Sequence, residues 1–305
     1  QLKELPWIPI ESHNRIPEMQ EKSNKEFGRM KRNLIIGIRK THKYVENHKV
    51  SDYLVPYTSS GCSAMCLYCY LVCNYNKCSY LRLFVNREQM MDRLIKVSFS
   101  SDTEKTFEIG SNSDLVLENT ITGNLEWTIT QFAERGRGHI TFPTKFHMVD
   151  PLLNLDHRGK SIFRMSVNPQ PIISRIELGT SSLMQRIDAV NRMCDAGYPC
   201  GLLIAPVIIM EGWKEEYRTL LETLRDLAEN EAGDVSGGYP DDIQLCASGD
   251  QRRGISGCAG ALRQGTHDGT RPGKVLLPAG GEGGCGEIPA GGDKENAGRC
   301  GDFIY

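Results

Sequence analysis

The chain is poor in several features that would have fixed its class at once. None of its 305 residues fall in an uninterrupted apolar run of about 18, the length a membrane-spanning helix needs. Charge of neither sign is in excess: 36 Lys and Arg stand against 38 Asp and Glu, a formal net charge of −2, so the overall basic balance of a general nucleic-acid binder is missing. Aromatic residues make up only 8%. The opening Gln1-Leu2-Lys3-Glu4 lacks the basic-then-apolar order of a secretory leader, so a cytoplasmic location is expected. Position 1 is not Met, and the expectation is that an N-terminal piece preceded it. What remains, 39% hydrophobic residues over this length, suffices for one large domain or two small ones.

Local charge and cysteine tell more than the totals. Between Lys22 and Lys43 the basic residues Lys22, Lys25, Arg29, Lys31, Arg32, Arg39, Lys40 and Lys43 face one acid, Glu26; this is read as a solvated face, with phosphate contact as the alternative. Eleven cysteines are present, and five of them crowd between Cys62 and Cys78. In a reducing compartment such a cluster holds metal or does redox chemistry more often than it forms disulfides.

Up to Glu231 the pattern alternates between strand and helix. Strands are expected at Asp52–Tyr57, Thr106–Ile109, His139–Phe142 and Ser161–Val167, with a fully buried one at Gly201–Met210. Helices are expected at Arg87–Val97, Asn119–Arg135, Asp150–Leu155, Ser181–Ala196 and Trp213–Glu231. Strand-helix pairs in this order predict parallel pairing with right-handed crossovers, hence an α/β barrel or open sheet. Residues 232–305 hold 19 of the 31 glycines without sustained periodicity, and are expected to form an irregular tail, disordered or translated in a shifted frame. The expected division is a basic segment over 1–50, remnant of a truncated domain, a catalytic α/β unit over 51–231 and the Gly-rich tail over 232–305.

The chemistry concentrates in Cys62-Ser63-Ala64-Met65-Cys66-Leu67-Tyr68-Cys69, a CxxxCxxC triplet on a short loop after the first expected strand. Three thiolates suit a 4Fe-4S cubane with one iron left open for a small molecule. A zinc site would need a fourth ligand, which Cys73 or Cys78 could supply, and inert thiols are the bland alternative. A non-catalytic iron-sulfur or zinc-binding module therefore stands beside an enzyme.

The triplet, with an aromatic before its last cysteine, resembles the radical S-adenosylmethionine superfamily. More narrowly, the chain from Ser60 to Glu216 resembles the spore photoproduct lyase family. The matching text is SGCSAMCLYCYL at Ser60–Leu71, YLRLFVN at Tyr80–Asn86, SNSD at Ser111–Asp114, TKF at Thr144–Phe146, FRMSVN at Phe163–Asn168 and APVIIMEGW at Ala205–Trp213. The resemblance implies a partial (β/α)6-type radical SAM barrel and a 4Fe-4S cluster on Cys62, Cys66 and Cys69. It implies S-adenosyl-L-methionine contacted by Ser113, Lys145 and Ser166. It further implies a carbon–carbon lyase that uses a 5′-deoxyadenosyl radical to reverse the thymine dimer of ultraviolet-damaged spore DNA. A one-electron reductant such as a flavodoxin or ferredoxin would be the protein partner, with no membrane involved. Tyr68 and Tyr70 match tyrosines that relay the radical back to the cofactor.

The sequence also departs from the family. The cysteine that gives hydrogen to the product radical would stand where Ser111 does, and a serine O–H bond is too strong for that task. Cys73, Cys78 or a tyrosine are the replacement donors expected, or else the chain belongs to a branch with another substrate. Met210 stands where a histidine is expected, and no text after Glu231 matches the hairpin that would wedge a lesion from the duplex, which flipping a base requires.

Overall fold

The computed structural model describes residues 6–12, 16, 31–48, 50–69, 71, 80–230 and 243–244. Its strands in chain order are β1 Leu34–Gly37, β2 Val45–Glu46, β3 Tyr53–Val55, β4 Ser59–Ser60, β5 Met65–Cys66, β6 Leu81–Phe84, β7 Thr106–Ile109, β8 His139–Thr144, β9 Ser161–Ser166, β10 Glu177–Leu178, β11 Cys200–Leu203 and β12 Ile243–Gln244. The α-helices are α1 Arg87–Ser98, α2 Leu115–Thr122, α3 Asn124–Arg135, α4 Gln170–Arg175, α5 Leu183–Asp195 and α6 Trp213–Asn230.

Six strands, β3-β7-β8-β9-β11-β12, pair in parallel and in chain order, which is the expected partial barrel. Short β2 adds an antiparallel strand beside β3, so the seven-stranded sheet is open, with β2 at one edge and β12 at the other. Alternation along the strands divides this sheet into two unlike faces. Phe107, Ile140, Phe142, Phe163 and Met165 are all fully buried, and they share one core with Met91 and Leu94 of α1, Ile129 and Phe132 of α3, and Ala189 and Met193 of α5. The registers Glu108↔Thr141, Pro143↔Arg164 and Leu203↔Ser166 put Glu108, Thr141, Arg164 and Ser166 together on the other face. There Arg164 meets Glu108 at 2.6 Å and donates to the Thr141 hydroxyl at 2.6 Å. The barrel interior is thus polar on the side away from its helices.

Two small sheets carry the approach to the cysteines. One has order β1-β6-β4 and the other joins β10 to β5. β1 draws part of the basic N-terminal run into the fold, because Leu34–Gly37 pairs in parallel with Leu81–Phe84.

Several element boundaries correct the sequence expectation. The helix expected over Asn119–Arg135 is two helices, since Gly123 takes φ +64°, a left-handed conformation that ends α2 while leading into α3. The strand expected at Gly201–Met210 ends at Leu203, opposite Ser166, the last residue of β9. Beyond it the apolar run leaves the sheet, and Ile209 is half exposed. The expected helix at Asp150–Leu155 is a 3-10 turn over Asp150–Leu152. Ile243–Gln244, within the stretch expected to be irregular, forms β12; residues 232–242 and 245–305 lie outside the described residues. No described helix is long and apolar enough to cross a membrane.

Candidate radical-chemistry site

The cysteine loop is held at both ends by backbone pairing. Ser59 and Ser60 pair antiparallel with β6, and Gly61 then forms a parallel bridge to Ser113, in the turn between β7 and α2. The Gly61 N–H donates to the Asn112 carbonyl at 2.8 Å, and the Ser59 hydroxyl donates to the Ser113 hydroxyl at 2.7 Å. Gly61 has φ +80°, and a Cβ there would sit 2.0 Å from the Tyr80 carbonyl oxygen, so only glycine fits. Further on, Cys66 pairs with Glu177 and Met65 with Leu178, the Leu67 N–H reaches the Ile176 carbonyl at 2.9 Å, and the Cys69 N–H closes a turn on the Cys66 carbonyl at 3.1 Å.

Cys62, Cys66 and Cys69 are free thiols, all partly buried. Burial, with Asp114 nearby, pushes the Cys62 thiol up to about 12 despite Lys31. Burial raises Cys66 to about 11 against the opposing pull of Lys145. Thiols this reluctant to ionise alone gain most from a cation that takes their charge. Among the described residues no three His, Cys, Asp or Glu side chains converge closely enough to share one metal ion. A cubane makes a different demand, one thiolate on each of three separate irons, and three soft donors spaced around one loop answer it.

Beside the loop lies a buried polar network. Lys145 Nζ donates to the Ser166 hydroxyl at 2.9 Å and stands 4.0 Å from Glu177 Oε1. Glu177, whose side chain has no exposure, is ion-paired with the equally buried Arg186 at 2.7 Å. It also accepts from Asn168 Nδ2 at 2.9 Å and from the Tyr68 hydroxyl. Arg186 in turn donates to the Ser166 carbonyl at 2.8 Å. Burial alone would raise the Glu177 carboxyl, but the charges of Lys145 and Arg186 and the bonds from Tyr68 and Asn168 hold it below its ordinary value. The Tyr68 phenol is raised by burial and by that carboxylate, so it stays protonated. Both cations thus lie within ion-pair distance of Glu177, Arg186 at 2.7 Å and Lys145 at 4.0 Å. The Lys145 ammonium lies 5.9 Å from the centre of the Tyr68 ring.

Asp114 ties the Ser113 side to this network. It caps α2 by accepting from the Leu117 N–H, and accepts from the Thr144 hydroxyl at 2.8 Å and the Lys145 N–H at 3.0 Å. Burial raises its carboxyl in spite of those donors.

Of the residues expected from sequence, the fold brings Lys145 and Ser166 into contact and sets Tyr68 one carboxylate away. Ser113 flanks the entry to the cysteine loop, joined to Lys145 through its neighbour Asp114. Tyr70, Cys73 and Cys78 lie outside the described residues. The basic run is corrected in part: Lys31 is only 8% exposed, and Arg39 donates to the Tyr57 and Ser59 carbonyls while lying 4.0 Å over the Phe84 ring. Glu177 and Arg186 escaped the sequence analysis, because each is an ordinary charged residue that no motif marks, and Glu177 meets Tyr68 only across 109 residues of chain. Asp114 and Asn168 sat inside motifs already quoted, and their burial is what sets them apart.

Comparisons with known proteins bear on the chain as a whole. The family model described as spore photoproduct lyase matches residues 2–236. Spore photoproduct lyase of Bacillus subtilis (strain 168) is 38% identical over 215 residues, covering 70% of this chain and 63% of that protein. The protein of the same name from Geobacillus sp. (strain Y412MC61) is 32% identical over the same shares. This chain therefore spans a little under two thirds of the length of those relatives. Among solved structures, a spore photoproduct lyase complexed with dinucleoside spore photoproduct matches with TM-score 0.68 and 30% identity, covering 77% of this chain and 67% of the other. A double mutant with bound AdoMet and dinucleoside spore photoproduct matches equally well. A match that runs from residue 2 through the barrel and takes in the cysteine loop, Lys145 and Ser166 makes this chain a member of the spore photoproduct lyase family.

Proposed function

We propose that the chain is a radical S-adenosylmethionine lyase that reverses the spore thymine dimer in ultraviolet-damaged DNA. The observation that carries this is the meeting of the three-cysteine loop with the Lys145–Ser166 pair through Glu177. The relatives support it, since one was solved with AdoMet and the dinucleoside spore photoproduct together. Cys62, Cys66 and Cys69 would hold a 4Fe-4S cluster, which when reduced supplies one electron to the cofactor's sulfonium and so yields the radical that opens the substrate.

The rest falls to the chain's own side chains. Lys145 would pair with the cofactor's carboxylate, and the Ser166 hydroxyl, which accepts from it at 2.9 Å, would hold the side chain in position. Ser113, beside the start of the loop, would offer its hydroxyl to the cofactor. Tyr68 keeps its proton on the phenol oxygen, bonded to Glu177, and would serve with Tyr70 in returning the radical. Cys73 and Cys78 are the proposed hydrogen donors, because Ser111 cannot give up a hydrogen atom. A flavodoxin- or ferredoxin-like protein in the cytoplasm would deliver the electron. Ser111 specifically favours a second reading, a radical enzyme of the same branch acting on another substrate.

One anaerobic reaction tests both. The reconstituted chain is given reductant, S-adenosylmethionine and a synthetic spore-photoproduct dinucleotide, and products are read by mass spectrometry. Repaired dinucleotide with 5′-deoxyadenosine is the expected result. Deoxyadenosine without repair selects the second reading, and neither product refutes both.

A further inference from the structure

Lys31 belongs to the basic run read from sequence as a solvated face, yet it is only 8% exposed and its ammonium donates to the Cys62 carbonyl at 2.7 Å. Burial holds its pKa below the ordinary lysine value, against the opposing pull of Cys62, Cys69 and Cys66. One buried lysine side chain is therefore pinned by a hydrogen bond to the backbone of the first of the three cysteines. A buried cation is costly unless opposite charge lies near it, and thiolates held on this loop would add such charge.

We propose that Lys31 is a positioning residue whose fixed positive charge compensates the thiolate-bound cluster and sets its reduction potential. The inference rests on the reading of Cys62, Cys66 and Cys69 as cluster ligands. An electron entering an iron-sulfur cluster adds negative charge, and a neighbouring cation in a weakly screening environment favours that state. The hydrogen bond to the Cys62 carbonyl holds the ammonium at a set place relative to the loop. An anchor alone needs only a donor, whereas tuning needs the charge, and the two roles separate by substitution.

The full chain is prepared as wild type, Lys31→Gln, which keeps a donor without charge, and Lys31→Arg, which keeps both. Each is reconstituted anaerobically with iron and sulfide, and the midpoint potential is read by redox titration with electron paramagnetic resonance, beside iron content and melting temperature. The expected result is a more negative potential in Lys31→Gln and one near wild type in Lys31→Arg. Loss of cluster in Lys31→Gln with retention in Lys31→Arg supports the same assignment. An unmoved potential in Lys31→Gln, or an equal displacement or loss in both variants, overturns it. A wild-type chain that takes up no iron and sulfide overturns the cluster reading and this inference with it, whereas a cluster indifferent to Lys31 overturns this inference alone.

Discussion

Replacing Glu177 by Gln would strand Arg186, since neither side chain of that pair is exposed. Breaking a buried ion pair from one side costs about 3–5 kcal/mol. Denaturant unfolding of Glu177→Gln should show a loss of that order, and Arg186→Met a similar one. The double variant should lose less than the sum, because the second change removes the charge the first left uncompensated. At this scale legibility followed distance along the chain. Cys62, Cys66 and Cys69 were readable because their spacing alone carries their chemistry. Lys145 and Ser166, 21 residues apart, could be paired only through resemblance, since the contact depends on β8 and β9 lying side by side. Glu177 had no mark at all: its burial comes from β10 folding back on β5, and nothing in Ile176-Glu177-Leu178 announces that.

Among the elements, the turn into Cys62 is the most constrained. Gly61→Ala would force a left-handed Ala, at roughly 1–2 kcal/mol, and drive its Cβ into the Tyr80 carbonyl. The expected outcome is a folded chain with displaced loop and reduced iron uptake, checked by iron analysis after reconstitution. By contrast, α5 begins on a capping box in which the Ser182 hydroxyl accepts from Gln185 N–H while Gln185 reaches back to the Ser182 N–H. Ser182→Ala should lower stability by about 1 kcal/mol in denaturant unfolding and leave iron uptake unchanged. Periodicity located α1, α5 and α6 well because each has a long one-sided apolar stripe. It failed at Gly123, since both α2 and α3 carry helical spacing and only the backbone sign of one glycine divides them. It failed again at β11, where an apolar run continues past the last residue that finds a partner strand.

For the molecule as a whole, five of the six parallel strands were foreseeable in chain order from simple alternation, because each short strand must be crossed over by a helix before its parallel neighbour, whereas β12 falls in the stretch expected to be irregular. The small sheets β1-β6-β4 and β10-β5 were not, for strands of two to four residues leave too little pattern to read. The main core joins the barrel strands to α1, α3 and α5, with Cys62 and Cys66 packed only at its margin. Removing iron with a chelator should therefore bleach the cluster absorbance while far-ultraviolet circular dichroism and cooperative thermal unfolding persist.

The bond from Tyr68 to Glu177 spans 109 residues of sequence. A ribosome adding roughly 5–20 residues per second would need on the order of 5–20 seconds to supply the second partner after the first. Throughout that interval the cysteines have left the synthesis machinery without the strand that braces them. The brace on the cysteine loop is thus a late acquisition in the life of the chain, and iron and sulfide offered before it would meet a loop without that support.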